Sequence, residues 1–480
     1  MAIQGRLSFN LKANYGTAQL GEALVNGVLG AFLLFYYSQV LGMSPSLAAI
    51  GVGTAVIVDA ITDPLVGSLS DRSTSRFGRR HPFMVAGAIP TAVCLYLLFD
   101  PMVSSELGLF VWMVVFVNLT RTAMTVFHIP HIALGAELSD NYDERSSIVG
   151  YRTFFGYIGG LAAPLLGFGL FFASTPEYAN GQLNASAYAP LAALVACLLA
   201  VSVFWTAWTT RHTIGSLPVA SSTEGSSLRS AIPNMVRDTL GVLRTGSFRW
   251  LFLGVLLLFV IIGVDLALSI HMFTFFWEFT HVEIMVLLPA FAIGGVIGIV
   301  LSPMLLRRYS KKAMLQFGLM AWASLQALPV VLRLLGWLPE NGDDLLVPIL
   351  FAMKIIQGIG TVQSNIAFGS MSADCIDEQE LQSGSRQAGV FFAASSFAGK
   401  APVGIGNIIA GFGLEFIDWP VGDTIRTAAD IAPDKLVKLG LLVGPGVAVC
   451  ALLCFWCYTQ YGLTRERHEE ILEELHRRKE

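Results

Sequence analysis

Roughly twelve stretches of this chain are apolar over about the ~20 residues that a helix needs to cross hydrocarbon. They lie near 14–41, 47–70, 82–100, 107–137, 148–173, 188–209, 248–277, 283–306, 313–335, 345–373, 384–414 and 438–461. Within a bilayer every backbone N–H and C=O must find its partner inside the chain, so repeated spans of this length leave a bundle of membrane helices as the expected fold. The composition agrees. Of 480 residues, 54% are apolar and only 13% are charged, where a soluble domain carries roughly a quarter. The net charge of -4 says little about partners, because the charges are unevenly placed; no nucleic-acid partner is expected. Six scattered cysteines (Cys94, Cys197, Cys375, Cys450, Cys454 and Cys457) have neither metal-ligand spacing nor the look of a disulfide framework. No cleavable leader is expected, because Arg6 and Lys12 precede an apolar run without a small-residue cleavage pattern.

The longest connection separates six spans from six. The expected organisation is a first half over 1–209, a linker over 210–247, a second half over 248–461 and a tail over 462–480. The linker opens with "GSLPVASSTEGSSLRS", a flexible composition. It then places Ile232, Met235, Val236, Thr239, Leu240 and Leu243 on one helical face, as a surface-lying amphipathic helix would. Arg72, Arg76, Arg79 and Arg80 follow span 2, and Arg307, Arg308, Lys311 and Lys312 follow span 8. The connections at 101–107 and 174–187 have no Lys or Arg. The positive-inside bias therefore places both termini and the linker in the cytoplasm. The tail "TRERHEEILEELHRRKE" reads as a solvated polar helix.

Ionisable groups inside the spans are the informative exceptions, because each costs at least ~2.5–3.5 kcal/mol. Asp59 and Asp63 lie one turn apart on span 2, with the Thr62 hydroxyl beside them. Two such carboxylates repel unless a proton, a basic side chain or a bound cation intervenes; hard cations prefer oxygen ligands. Lys400, deep in span 11 and flanked by small residues, is the expected counter-charge, with snorkelling as its alternative. Span 4 aligns Arg121, Thr125 and His128, with Pro130 expected to loosen the helix, and Arg152 opens span 5. If these cations line a cavity they favour an anionic group; alternatively Arg121 pairs with Glu22 or Asp59. Span 10 carries a stripe of Lys354, Gln357, Thr361 and Asn365. Asp265 in span 7 is either cavity-lining or paired.

Two six-span halves joined by a cytoplasmic linker resemble the major facilitator superfamily, in which solutes bind near the midplane between rocking halves. "GSLSDRSTSRFGRRHP" resembles that superfamily's basic signature between spans 2 and 3, with extra residues before the Gly-Arg-Arg. Asp71, Arg72 and Arg76, with Arg145, Asp374 and Arg386, are therefore expected to latch the cytoplasmic side, unless these charges only set topology. Three segments, "DAITDPLVGSLSDRSTSRFGRRHPF", "HIPHIALGAELSDNYDERSSIVGYRTFFGYIGG" and "SADCIDEQELQSGSRQAGVFFAASSFAGK", resemble the glycoside–pentoside–hexuronide:cation symporters, typified by melibiose permease.

That resemblance implies a cation site at Asp59, Thr62, Asp63 and Thr125, with Lys400 coupling it to substrate. The sugar site departs from the pattern. The family's acids fall at Ala23 and His128, its aromatics at Ile132 and Asn365, and only Arg152 is kept. "FHIPHIAL" and "GYR" also resemble animal sodium-dependent lysolipid transporters.

The resulting expectation is a Na⁺- or H⁺-coupled carrier, without a cofactor, for a sugar or glycoside-like solute. A uronide or sulfonated sugar is the anionic form of that hypothesis, and a lysophospholipid is the alternative. Candidate substrate contacts are Glu22, Arg121, His128, Arg152, Gln357, Asn365 and Ser396. The expected state is a monomer in the cell (inner) membrane, with lipid, solute and coupling cation as partners. No nucleophile elbow, zinc-protease helix, phosphate loop or full dinucleotide fingerprint supports an enzyme. "GIGNIIAG" (404–411) is explained by helix packing, and "NAS" (184–186) by chance. A non-transporting sensor would need no two-acid site with a counter-lysine.

Overall fold

The computed structural model describes residues 7–139, 141–216, 246–383, 388–422 and 424–479. Six helices come first: α1 (Phe9–Phe35), α2 (Pro45–Asp71), α3 (His81–Leu98), α4 (Glu106–Glu137), α5 (Tyr142–Leu166) and α6 (Tyr188–Thr210). Then follow α7 (Gly246–His271), α8 (His281–Arg308), α9 (Lys311–Leu334), α10 (Leu346–Ser383), α11 (Ala388–Phe416), α12 (Pro433–Thr459) and a polar helix α13 (Arg465–Lys479). Eleven segments among the described residues are long and apolar enough to cross a membrane. The remaining expected span coincides with α11, whose side chains are described only from Pro402 onward. The chain divides into two compact units, Met1–Ile232 with Pro420–Arg426, and Pro233–Trp419 with Thr427–Glu480. The amphipathic helix expected over 232–243 lies outside the described residues.

Sequence sets the helix boundaries. Ser8, Ser105 and Ser310 each accept a hydrogen bond from a backbone N–H of the first turn of α1, α4 and α9. Thr280 and Glu283 cap α8 reciprocally, satisfying donors that have no partner within the helix. The first helix of each unit ends in a π-helical turn, Tyr36–Val40 after α1 and Met272–Phe276 after α7. α4 is helical through Pro130, which is buried. The proline forfeits one backbone bond.

In the first unit α1 packs on α5 and α6, α3 on α4 and α6, and α2 on α4. In the second, α7 packs on α11, α8 on α10, and α9 on α10. The α8–α10 seam depends on two glycines. A Cβ on Gly294 would collide with the carbonyl of Ile355, and one on Gly358 with the carbonyl of Phe291. Where lipid removes the hydrophobic drive between helices, such close backbone approach provides the packing. Gly358→Val forces the helices apart and is expected to destabilise the second unit by about 1–3 kcal/mol or more, read as a lower melting temperature of the purified protein. An unchanged melting temperature contradicts this packing.

The tail is not simply solvated. Ile471 and Leu475, one turn apart on α13, are buried at 2% and 7% exposure, and α13 packs along the end of α10. His468 Nε2 lies 3.1 Å from Asp377 Oδ2, and Arg478 donates to the Leu381 carbonyl at 2.9 Å. The sequence hid this because only a narrow apolar stripe interrupts the charges. Ile471→Asp should therefore release α13, making its peptide bonds sensitive to limited proteolysis; equal resistance in variant and wild type overturns the docking.

Candidate functional site

The first unit contains a set of polar contacts, built from one stripe on each of three apolar helices. On α2, Asp59 and Asp63 face the stripe of α4. Thr125 Oγ1 donates to Asp63 Oδ1 at 2.8 Å, and Arg121 Nε lies 3.2 Å from Asp59 Oδ2. Of the two carboxylates open to Arg121 in the sequence, the structure thus brings it to Asp59. The same guanidinium also donates through Nη1 to Asn26 Oδ1 on α1 at 2.6 Å. Asn26 Nδ2 in turn donates to Glu22 Oε1 at 2.6 Å, and Gln19 Nε2 donates to Glu22 Oε2 at 2.6 Å. His128 Nε2 sits 3.8 Å from Glu22 Oε1. A chain of contacts therefore runs from Asp59 through Arg121 and Asn26 to Glu22 and His128.

Thr62 Oγ1 is buried with no hydrogen-bond partner among the described residues, although a buried hydroxyl normally finds one. Further along, Asn118 donates from α4 to Thr54 Oγ1 on α2 at 2.8 Å. Two carboxylates, one permanent cation and one imidazole thus share this chain of contacts, with the Asp63–Thr125 pair on the same two helices α2 and α4.

Arg152 lies against the Tyr15 hydroxyl. Tyr15 stacks on His131 with ring centroids 4.5 Å apart, and the pair exchanges bonds to each other's backbone carbonyls at 3.2 and 2.9 Å. Sequence reasoning missed Gln19 and Asn26. Their signal was available: they sit three residues before and four after Glu22, on its face of an otherwise apolar helix.

In the second unit Gln357 is buried; it donates to Gln326 Oε1 at 2.9 Å and to the Trp322 carbonyl at 3.2 Å. Asp265 accepts a hydrogen bond from Gln326 Nε2 and also lines a cavity, so both readings of that acid apply. Asn365, further along the same helix, is exposed and is not among that cavity's lining residues. Lys400, Ser396 and Arg386 lie outside the described side chains.

The charges at the ends of α3 and α4 form a compact cluster. Arg80, 4% exposed, reaches Asp71 Oδ1 at 2.5 Å and Glu137 Oε1 at 2.6 Å, and donates to Ser70 Oγ at 2.5 Å. Arg79 also binds Glu137 Oε1, at 2.6 Å. Arg72 and Arg76 are exposed, Arg76 lying over the Phe77 ring, and Arg145 donates to the Ser139 carbonyl. The second unit repeats the pattern. Lys311, at the start of α9, binds both oxygens of Asp374 on α10 at 2.7 and 2.9 Å. In each unit, then, the base at the start of the third helix holds an acid of the fourth.

Apolar helices of spanning length, sorted into two units and carrying carboxylates in their interior, define a multi-pass membrane transporter of the major facilitator type rather than an enzyme. The chain belongs to the MFS/sugar transport protein family, which it matches over residues 14–465. A relative from Synechocystis, named uncharacterized symporter sll1374, is 25% identical over 99% of this chain and 98% of its own. The Escherichia coli protein named putative glycoside/cation symporter YagG is 22% identical, covering 98% and 95%. The sodium-dependent lysophosphatidylcholine symporter 1 of Gallus gallus is 26% identical, covering 91% and 86%. Among solved structures, the nucleoside transporter NupG aligns with a TM-score of 0.63 at 15% identity, over 95% of this chain and 100% of that one; at that identity the likeness speaks for the fold alone. The chain is thus a symporter-type carrier whose relatives' names imply a coupling cation.

Proposed function

We propose that this protein couples the inward movement of Na⁺ to uptake of a sugar or glycoside-like solute by alternating access. In this reading Asp59, Thr62, Asp63 and Thr125 supply the oxygen ligands of the cation, and Lys400 couples the site to substrate. The observation that carries it is the pair of span-interior carboxylates, one bonded by Thr125 and the other by Arg121, beside an orphaned Thr62 hydroxyl.

Arg121 supplies a route for coupling. Its guanidinium is divided between Asp59 and the Asn26–Glu22 branch. A cation that takes over Asp59 weakens the first contact and shifts the guanidinium toward the second, where the candidate substrate contacts Glu22 and His128 sit. Part of the hydrogen-bonding capacity of Arg121, itself a candidate substrate contact, is taken up by Asp59 and Asn26. The reading therefore leans to a neutral glycoside over the uronide or sulfonated sugar suggested by Arg121 and His128. Arg152, Gln357, Asn365 and Ser396 complete the proposed substrate contacts. Asp71, Arg72, Arg76, Arg145, Asp374 and Arg386 belong to the proposed cytoplasmic latch, with both termini on the same side of the cell (inner) membrane and the protein working as a monomer. Support for a glycoside comes from the name of the Escherichia coli relative; the Gallus gallus relative supports the second reading, a sodium-coupled lysophospholipid carrier.

The test is uptake into proteoliposomes of radiolabelled methyl glycosides, methyl uronides and lysophosphatidylcholine under an inward sodium gradient. Accumulation of a glycoside that collapses with a sodium ionophore is expected. Accumulation driven equally well by a pH gradient in sodium-free buffer replaces Na⁺ by H⁺. Accumulation of lysophosphatidylcholine alone overturns the sugar reading.

A further inference from the structure

The second unit contains a partly open cavity of about 440 Å³, within the size range of small-molecule sites. Its wall is largely apolar and includes Trp277 and Trp322, but one part is polar and internally organised. Gln326 is the hub there. It donates to Asp265, and its carbonyl oxygen accepts from Gln357 at 2.9 Å and from Lys354 at 3.4 Å. These four polar residues come from three different helices, α7, α9 and α10, and all line the cavity.

The charges decide what such a wall recognises. One carboxylate and one ammonium joined through the same amide cancel, so neither an anion nor a cation is favoured overall. Both keep hydrogen-bonding capacity: Asp265 has a second oxygen, and Lys354 uses one of its three donors in the bond to Gln326. A ligand that both donates and accepts at close spacing, carries no net charge and presents an apolar face to indole rings satisfies every part of this wall. A hydroxylated sugar ring has those properties. Its hydroxyls exchange bonds with carboxylate, amide and ammonium, and its C–H face packs on tryptophan. A phosphate headgroup would leave Asp265 opposing it, and an acyl chain would strand the polar cluster unpaired at a cost of about 1–3 kcal/mol per group.

We infer that Asp265, Gln326, Lys354 and Gln357 with Trp322 form a glycosyl subsite contained in the second unit, binding one neutral sugar ring of the transported solute. The inference rests on the symport reading for its substrate class, and it supplies the acid and the aromatic surface that the first unit lacks at Ala23, His128 and Ile132.

Purified full-length protein is titrated by calorimetry with 4-nitrophenyl galactosides, glucosides and xylosides, and separately with lysophosphatidylcholine, in sodium buffer. Thermal stabilisation by sodium alone is measured on the same samples. At least one glycoside is expected to bind wild type. Asp265→Asn and Lys354→Met should each weaken it by about tenfold or more, the usual size of a hydrogen bond to a charged group, while the sodium shift stays at its wild-type value. That retained shift shows that the variants are folded. Undiminished glycoside affinity in both variants overturns the subsite, as does a wild type that binds none of the glycosides, or only lysophosphatidylcholine. Absence of any sodium shift, with glycoside binding still dependent on Asp265, leaves the subsite standing and removes the sodium-coupled reading instead.

Discussion

Asp59→Asn and Asp63→Asn are each expected to reduce sodium-driven uptake by at least about tenfold, and the double variant to background, since an interaction with a charged group contributes about 1.5–3 kcal/mol. Asparagine has nearly the same shape and keeps an acceptor for Arg121 or Thr125, so the helices should still pack. The loss belongs to the charge. A carboxamide offers a cation one neutral oxygen where a carboxylate offers two charged ones. The check is uptake in proteoliposomes beside a melting curve of each variant. Normal sodium-dependent accumulation in both single variants removes the cation site from α2. Loss of uptake together with a collapsed melting curve makes the acids structural instead. Thr125→Val, which removes only the hydroxyl donated to Asp63, should weaken the apparent affinity for sodium and leave maximal uptake closer to wild type.

The second large effect concerns Arg80. Its guanidinium is 5% exposed and joins Asp71, Glu137 and Ser70. Removing one partner of a buried pair costs up to about 3–5 kcal/mol where the other charge is left without a counter-ion; here Glu137 keeps Arg79 and Asp71 is exposed, so the cost is smaller than that. Arg80→Ala leaves Glu137 held by Arg79 alone and should lower the melting temperature of the purified protein by several degrees. Lys311→Ala removes the equivalent partner of Asp374, but Lys311 is 39% exposed, and a solvated pair is worth roughly 0–1 kcal/mol. The expected order is therefore a large fall for Arg80→Ala and a small one for Lys311→Ala. The reverse order would show that solvent access does not set the strength of these contacts.

Much of the site was legible because helical periodicity is simple. Asp59 with Asp63, and Arg121 with Thr125 and His128, each had to share a face, and in the structure those two faces meet. The partner of Arg121 was narrowed to two carboxylates but not chosen, because which helix lies opposite is a tertiary fact. Glu137 escaped notice as the partner of Arg79 and Arg80 for the same reason: 57 residues separate it from Arg80, and nothing local links them. Gln19, Asn26 and Gln326 were missed on different grounds. Amides carry no charge, so they do not stand out in an apolar run, yet they join the charged groups to one another. The tail was misread because hydropathy averaged over α13 hides the two residues that dock it.

The glycine seam between α8 and α10 has a mechanical consequence. At Gly294 and Gly358 backbone lies against backbone, so at these two points no deformable side chain separates the helices. The pair is therefore expected to move as one unit. Bending during a transport cycle is then concentrated where the backbone hydrogen-bond pattern is already irregular, such as the π-helical turn Met272–Phe276 at the end of α7.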